Sequence, residues 1–438
     1  MKTLVIDGGA RGHAIVSGLA RSPLVTKIWC APGNAGTETE KIGGGWFYAN
    51  NEQIPAHDVE ELVKFALEHK PDLTVVGSEV PLSLGLVDRL QKLGLKVFGP
   101  SQRAALFESS KIFAHNFMKR WRIPSPEGRG FDCPREALAY AHGLFDDYAE
   151  CVVKADGLAA GKGARICLSR VEAREAIRES MIENKFGAAG HRVLIQQKVR
   201  GVECSEHILF DGTTLCRFPK SHDYKRLLDD DEGPMTGGMG AYSLGTPEPL
   251  ISMTGRHILE PWREGCEAEE ITYRGLLYPG LMVSDQNSET GYNVLEFNSR
   301  FGDPETEVYI PRLESDLAEL LLAVVEGNLN KINICWSSDA CVGVVMATRE
   351  YPNPSVRGHP ITGISDANKI KGVKVFHAST FFSDTHDKHK GYHAGEGRVL
   401  VVTGKGPTLE SARQTAYAGV ECIKFEGMQY RKKIALLQ

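Results

Sequence analysis

Apolar runs of two different periods alternate along the chain, and that alternation predicts α/β units. Thr3-Leu4-Val5-Ile6 is an unbroken apolar run of strand length, the glycines after it open a turn, and residues 13–20 carry helical spacing. The rhythm returns as a helix over 59–69, a strand over 73–76, a helix over 82–93 and a strand over 96–98. Residues 1–102 are therefore expected to form a doubly wound domain. Residues 104–121 are helical by spacing and stop at Pro124 and Pro126, which suits a domain boundary. Beyond it the pattern turns to α+β. Strands over 151–154 and 164–168 flank a glycine loop, a charged helix covers 171–184, and a strand follows at 193–197, which together predict a hairpin with a helix behind it, a small lid. Strands over 276–283 and 292–297 and a helix over 315–326 follow. From about 328 strands alternate up to a helix over 408–423, a smaller α/β cap.

Length and charge narrow the function classes. A chain of 438 residues exceeds what one hydrophobic core serves, so two to four domains are expected. A net charge of -5 offers no overall field for nucleic acid or anionic membrane, so any phosphate recognition must be local. The ten cysteines include no Cys-x-x-Cys pair, which fits reduced thiols in a cytoplasmic protein. Asp7, Arg11 and His13 interrupt the opening apolar run before signal-peptide length, and no stretch reaches the roughly 18 apolar residues of a spanning helix.

The most informative segment runs from Val294 to Glu305. Strand side chains alternate faces, so Glu296 and Asn298 should point one way while Leu295 and Phe297 point into a core. Two oxygen ligands side by side suit magnesium, which takes one or two protein groups and completes its shell with water and phosphates. Arg300 follows, placed for a phosphate. Taken alone, Glu-x-Asn is more often a solvated sheet face; two glycine loops add to the metal reading. Residues 154–163 hold Gly157, Gly161 and Gly163 with Lys154 and Lys162, and freed amides and lysines of this kind approach phosphate oxygens. This is not a Walker loop, since three residues separate Gly157 from Gly161 and Gly163 stands where a hydroxyl would bind metal. Residues 233–240, with Gly237 and Gly238, suit either a flap over a ligand or a plain linker. Gly8 to His13 is half of a dinucleotide fingerprint, and Arg11 at a helix start could hold a phosphate.

In this order the segments resemble the phosphoribosylamine-glycine ligases, members of the ATP-grasp superfamily. The likeness covers Ala31 to Thr37, Gly99-Pro100, Glu108-Ser109-Ser110-Lys111, residues 154–163, residues 233–243, Glu296 to Glu305 and Gly397 to Leu400. It implies an N-terminal doubly wound domain (1–102), a central ATP-grasp domain (103–327) whose mobile lid spans about 122–192, and a C-terminal cap (328–438). It implies that Lys111 and Lys154 touch ATP phosphates, that Gln196, Gln197 and Val199 form the adenine hinge, that Glu203 holds the ribose, and that Glu296 and Asn298 bind Mg2+ or Mn2+. Gly157, Gly161 and Lys162 would complete the nucleotide site. By the same resemblance Arg300, Asp303 and Lys225 would serve the chemistry, and Arg11, Glu79, Arg226, Gly237, Gly238 and Glu305 would join them around glycine and 5-phosphoribosylamine, in a monomer or weak homodimer. The family commonly reads Gly-x-Gly-Gly-Arg-Glu-His after its first strand, whereas Asp7, Ala10 and Gly12 stand here for glycine, glycine and glutamate. Gln196 to Val199 replaces Glu-Glu-Phe-Leu, Met235 replaces Asn, Ser78 replaces proline, and Lys432-Lys433 replaces a Lys-Asp pair. Two other readings stay open on the sequence: a sister ligase using another amino acid or amine, and a nucleotide-binding sensor without turnover.

Overall fold

The computed structural model describes residues 1–159, 161–245, 254–283, 291–384 and 390–436. Ala160, inside the first glycine loop, lies outside them. The N-terminal sheet has five parallel strands in the order Asn50–Asn51, Lys27–Pro32, Lys2–Asp7, Leu73–Val76, Val97–Phe98. Helix Val59–His69 buries Leu62, Val63 and Ala66 and is capped by Asp58, which accepts from the Glu61 amide. Two expected helices are each broken in two. Residues 82–93 divide into Glu79–Ser83 and Leu86–Lys92, because Gly85 takes a left-handed φ of 79° between them. Residues 104–121 divide into Leu106–Ser109 and Lys111–Arg120, because Ser110 is extended and caps the second helix through the Phe113 amide.

The lid has more strands than the spacing predicted. Four antiparallel strands run in the order Gly128–Phe131, Val193–Gln197, Cys151–Ala155, Ala164–Cys167. Helices Pro134–Asp147 and Arg170–Ile177 pack behind them around Phe131, Leu144, Val153 and Ile195. The second helix ends at Ile177, short of the expected 184, and continues to Ile182 as a wider π turn.

Eleven of the remaining strands form one sheet, and Thr380–Ser383 pairs with Gly391–Ala394 in a separate two-stranded one. The large sheet passes without a break into the C-terminal part of the chain, where Gly240–Ser243 pairs antiparallel with Ala340–Thr348, which pairs with Arg398–Gly406. Helix Leu409–Cys422 covers these last strands with Ala412, Ala416 and Val420. No helix among the described residues is long and apolar enough to cross a membrane.

Candidate functional site

A cavity of about 360 Å³ opens where the lid, the large sheet, the N-terminal sheet and the C-terminal part meet. The orientation of the expected metal pair, Glu296 and Asn298, is set by an irregularity in strand Tyr292–Asn298. Opposite Gly275–Val283, Gly280 faces Glu296 and Leu281 faces Val294, so Leu295 has no partner and is a β-bulge. Before the bulge Tyr292 and Val294 enter the core; after it Phe297 does. Leu295 therefore does not point into the core as alternation predicted, and lines the cavity instead. The slip turns Glu296 and Asn298 out together, and the Asn298 amide nitrogen lies 3.4 Å from Glu296 Oε1.

Lys154, on strand Cys151–Ala155 of the lid, faces this pair and donates to the Leu295 carbonyl at 3.0 Å. Lys111 reaches the same cavity because of the break at Ser110. Asp156 accepts from the Ser110 hydroxyl at 2.9 Å and from the Ile112 amide at 2.8 Å, which ties the helix start to the lid and aims its first residue inward. Gly161, Gln196, Gln197, Val199 and Glu203 also line the cavity, and the buried side-chain oxygen Oε1 of Gln196 has no hydrogen-bond partner.

At the other end Arg300 contacts Glu108 at 3.0 Å and Glu79 at 3.6 Å, and donates to Asn298 Oδ1 at 3.3 Å. Arg11 donates to Asp7 at 2.8 Å, to the Phe301 carbonyl at 3.1 Å and to Glu79 at 3.4 Å. Lys225 pairs with Asp223, and Glu305 accepts from the Tyr278 hydroxyl. Asp303 and Gly237 also line this end.

Four expected site residues stand apart from the lining. Gly157 packs on Ala189, whose Cβ would lie 2.7 Å from a Cβ at 157. Lys162 is exposed in the turn beyond Ala159. Arg226 points outward and donates to the Gly233 carbonyl at 2.8 Å, closing the base of the second glycine loop. Gly238 packs against Pro304, with a left-handed φ of 119°. Conversely, Arg398 was not expected to line the cavity. It comes from the C-terminal part, donates to the carbonyls of Gly237 at 2.9 Å and Asp303 at 3.0 Å, and pairs with the Asp303 carboxylate. The resemblance of Gly397 to Leu400 was the one signal for it. Glu108, Lys198 and Tyr278 were missed as well.

Three models of one family match most of the chain. The N domain of phosphoribosylglycinamide synthetase matches residues 1–108, its ATP-grasp domain 109–306 and its C domain 341–437. The chain belongs to the phosphoribosylglycinamide synthetase family. A phosphoribosylamine-glycine ligase of Neisseria meningitidis serogroup A is 41% identical over 99% of this chain and 99% of its own, and that of Escherichia coli K12 is 41% identical over 99% and 98%. The solved phosphoribosylamine-glycine ligase of Thermotoga maritima superposes with a TM-score of 0.80 at 30% identity, covering 99% of this chain and 100% of that one. A biotin carboxylase domain from Hydrogenobacter thermophilus, in complex with MgADP and bicarbonate, shares the fold at a TM-score of 0.71 and 15% identity.

Charge in this synthetase-family cavity is closely balanced. Burial opposes ionisation of Glu296, yet Lys225, Lys154 and Lys111 outweigh it and hold the carboxyl below its ordinary range. Burial drives Lys154 down to about 8 despite the nearby Glu296, with Lys111 adding repulsion. Burial, reinforced by Asp223, raises Glu203 to about 7. Burial disfavours the Glu79 anion as well, but Arg11 and Arg300 prevail and bring it down to about 2. Among the described residues no group of three or more His, Cys, Asp or Glu side chains is arranged to hold a metal; Glu296 and Asn298 offer two oxygen ligands, and magnesium beside a nucleotide takes one or two protein groups.

Proposed function

We propose that the chain joins glycine to 5-phosphoribosylamine at the expense of ATP, giving glycinamide ribonucleotide, ADP and phosphate for purine biosynthesis. The ligase class and ATP use follow from family membership over the whole length. The observation that most supports this placing of substrates is the bulge at Leu295, which sets Glu296 and Asn298 opposite Lys154 and Lys111 in one cavity.

ATP lies with its adenine on the hinge from Gln196 to Val199, where the unpaired Gln196 Oε1 is an acceptor in wait, and with its ribose on Glu203. Lys111 and Lys154 hold the phosphates, and Gly161 lets backbone approach them. Magnesium or manganese on Glu296 and Asn298 would neutralise charge building on the transferring phosphoryl group. An oxygen of the glycine carboxylate attacks the γ-phosphorus and the bond to the bridging oxygen of ADP breaks, leaving glycyl phosphate. The amine of phosphoribosylamine then attacks the acyl carbon, phosphate leaves, and the amine gives up a proton. Glu79, held ionised by its two arginines, can accept from the amine or a ribose hydroxyl, while Arg11, Arg300 and Lys225 balance phosphate charge. Asp303 and Glu305 shape the acceptor end. The loop over 233–240, tied to the C-terminal part by Arg398, keeps water from the acyl phosphate.

Purified chain given ATP, magnesium, freshly made phosphoribosylamine and glycine with labelled carboxylate oxygens should yield glycinamide ribonucleotide by mass, with one labelled oxygen carried into phosphate. ATP turnover with only some other amino acid or amine would overturn the proposal.

A further inference from the structure

The turn after the first strand carries a buried carboxylate that the site described so far does not use. Asp7 is 2% exposed and spends both oxygens locally: one accepts from the Gly9 amide at 2.7 Å, the other from Arg11 Nε at 2.8 Å. With its carbonyl and Glu79 contacts, Arg11 has three of a guanidinium's five donors committed, and the others face the acceptor end. Room for the Asp7 side chain comes from neighbours that have none. A Cβ at Gly12 would sit 2.7 Å from Asp7 Cβ and 2.9 Å from its Oδ1, and one at Gly77 would sit 2.8 Å from its Oδ2. Gly12 lies within helix Ala10–Ala20 and has no left-handed φ, so its own backbone does not require glycine. The close approach does.

We propose that Asp7 is a positioning residue that fixes Arg11 for the phosphosugar amine, and that Gly12 is its sterically obligatory companion. The two departures from the family pattern are then one change. Gly12, with no side chain, leaves the space that the Asp7 carboxylate fills beside Arg11. The assignment of that end to the phosphosugar amine rests on the proposed function above.

The test is a four-way comparison of the wild-type chain, Gly12→Ala, Asp7→Gly and Asp7→Gly/Gly12→Ala, with Asp7→Asn as the isosteric control. Asp7→Asn should raise KM for phosphoribosylamine about tenfold, the effect of losing one charge-assisted hydrogen bond, while KM for ATP and kcat stay within about twofold. Gly12→Ala should match it by crowding Asp7 off Arg11, yet cost under about twofold once Asp7 is already glycine. Equal effects of Gly12→Ala in both backgrounds, or an Asp7→Asn change that falls equally on ATP, would overturn the pairing. Melting temperatures of the same four proteins without ligand read the steric coupling independently, so a chain that made no glycinamide ribonucleotide would refute the substrate reading and still decide the pair.

Discussion

Replacing Lys154 by methionine should make the ligand-free protein more stable while crippling it as an enzyme. The residue is 8% exposed, and burial lowers its ammonium from 10.5 to about 8. A lysine whose folded value lies below its unfolded one costs stability wherever it is charged in the fold: fully below about pH 8, and less as pH climbs toward 10.5. At roughly 1.4 kcal/mol per unit, the cost at pH 7 is about 3 kcal/mol. Methionine fills similar space without charge but loses the hydrogen bond to the Leu295 carbonyl, worth about 1 kcal/mol, for a net gain of about 2 kcal/mol. Thermal unfolding at pH 7 without nucleotide should show Lys154→Met melting a few degrees higher, and its upward shift on adding ATP should shrink. A second readout is more direct. At pH 8 about half of the wild-type lysines are neutral, and binding a phosphate chain recharges them, so calorimetry in two buffers of different ionisation enthalpy should find about half a proton taken up per ATP, absent in the variant. A less stable variant, or proton-neutral binding by the wild type at pH 8, would refute the reasoning.

Glu296→Gln should lower the rate of ADP formation by at least about 100-fold with far-ultraviolet circular dichroism unchanged; a normal rate would remove Glu296 from the metal site. Arg398→Ala removes the tie on the Gly237 carbonyl and leaves that from the Gly237 amide to Tyr351, so the loop loosens and phosphate release should outrun amide formation as water reaches the acyl phosphate; a ratio that stays at one would count against the tie. Glu203 titrates near 7, so KM for ATP should rise as pH falls from 8 to 6, and Glu203→Gln should flatten that profile. Because its folded value is raised from 4.5 to about 7, Glu203 costs stability increasingly as pH climbs from about 4.5 to 7 and in full above that, so the gain of the glutamine variant over wild type should grow across that range and level off by pH 8.

The parts of the fold that were legible have one clean period. Val59–His69, Leu73–Val76 and Val193–Gln197 fall on the predicted residues because each buries a regular set of apolar side chains. Gly128–Phe131 was not legible: two of its four residues are glycine and only Phe131 is fully buried, so it shows no alternation. The helix breaks at Gly85 and Ser110 hide inside spacing that stays helical. Motif order brought together Lys111, Lys154, Glu296 and Asn298. It gave little notice of Arg398, which reaches the cavity only because sheet pairing carries the C-terminal strands beside the glycine loop, and none of Leu295, whose orientation depends on a pairing irregularity that has no local signature.

That irregularity gives the strand one residue that answers to neither side of the ladder. With it present, two parities coexist on seven residues: one for Tyr292 and Val294, the opposite for Glu296 and Asn298. Without Leu295, Val294 and Phe297 would still face the core and Glu296 and Asn298 the cavity, because 294 and 296 already sit opposite neighbouring residues of the partner strand. The extra residue therefore adds one apolar side chain to the cavity wall beside the polar pair, at no cost to the faces of its neighbours.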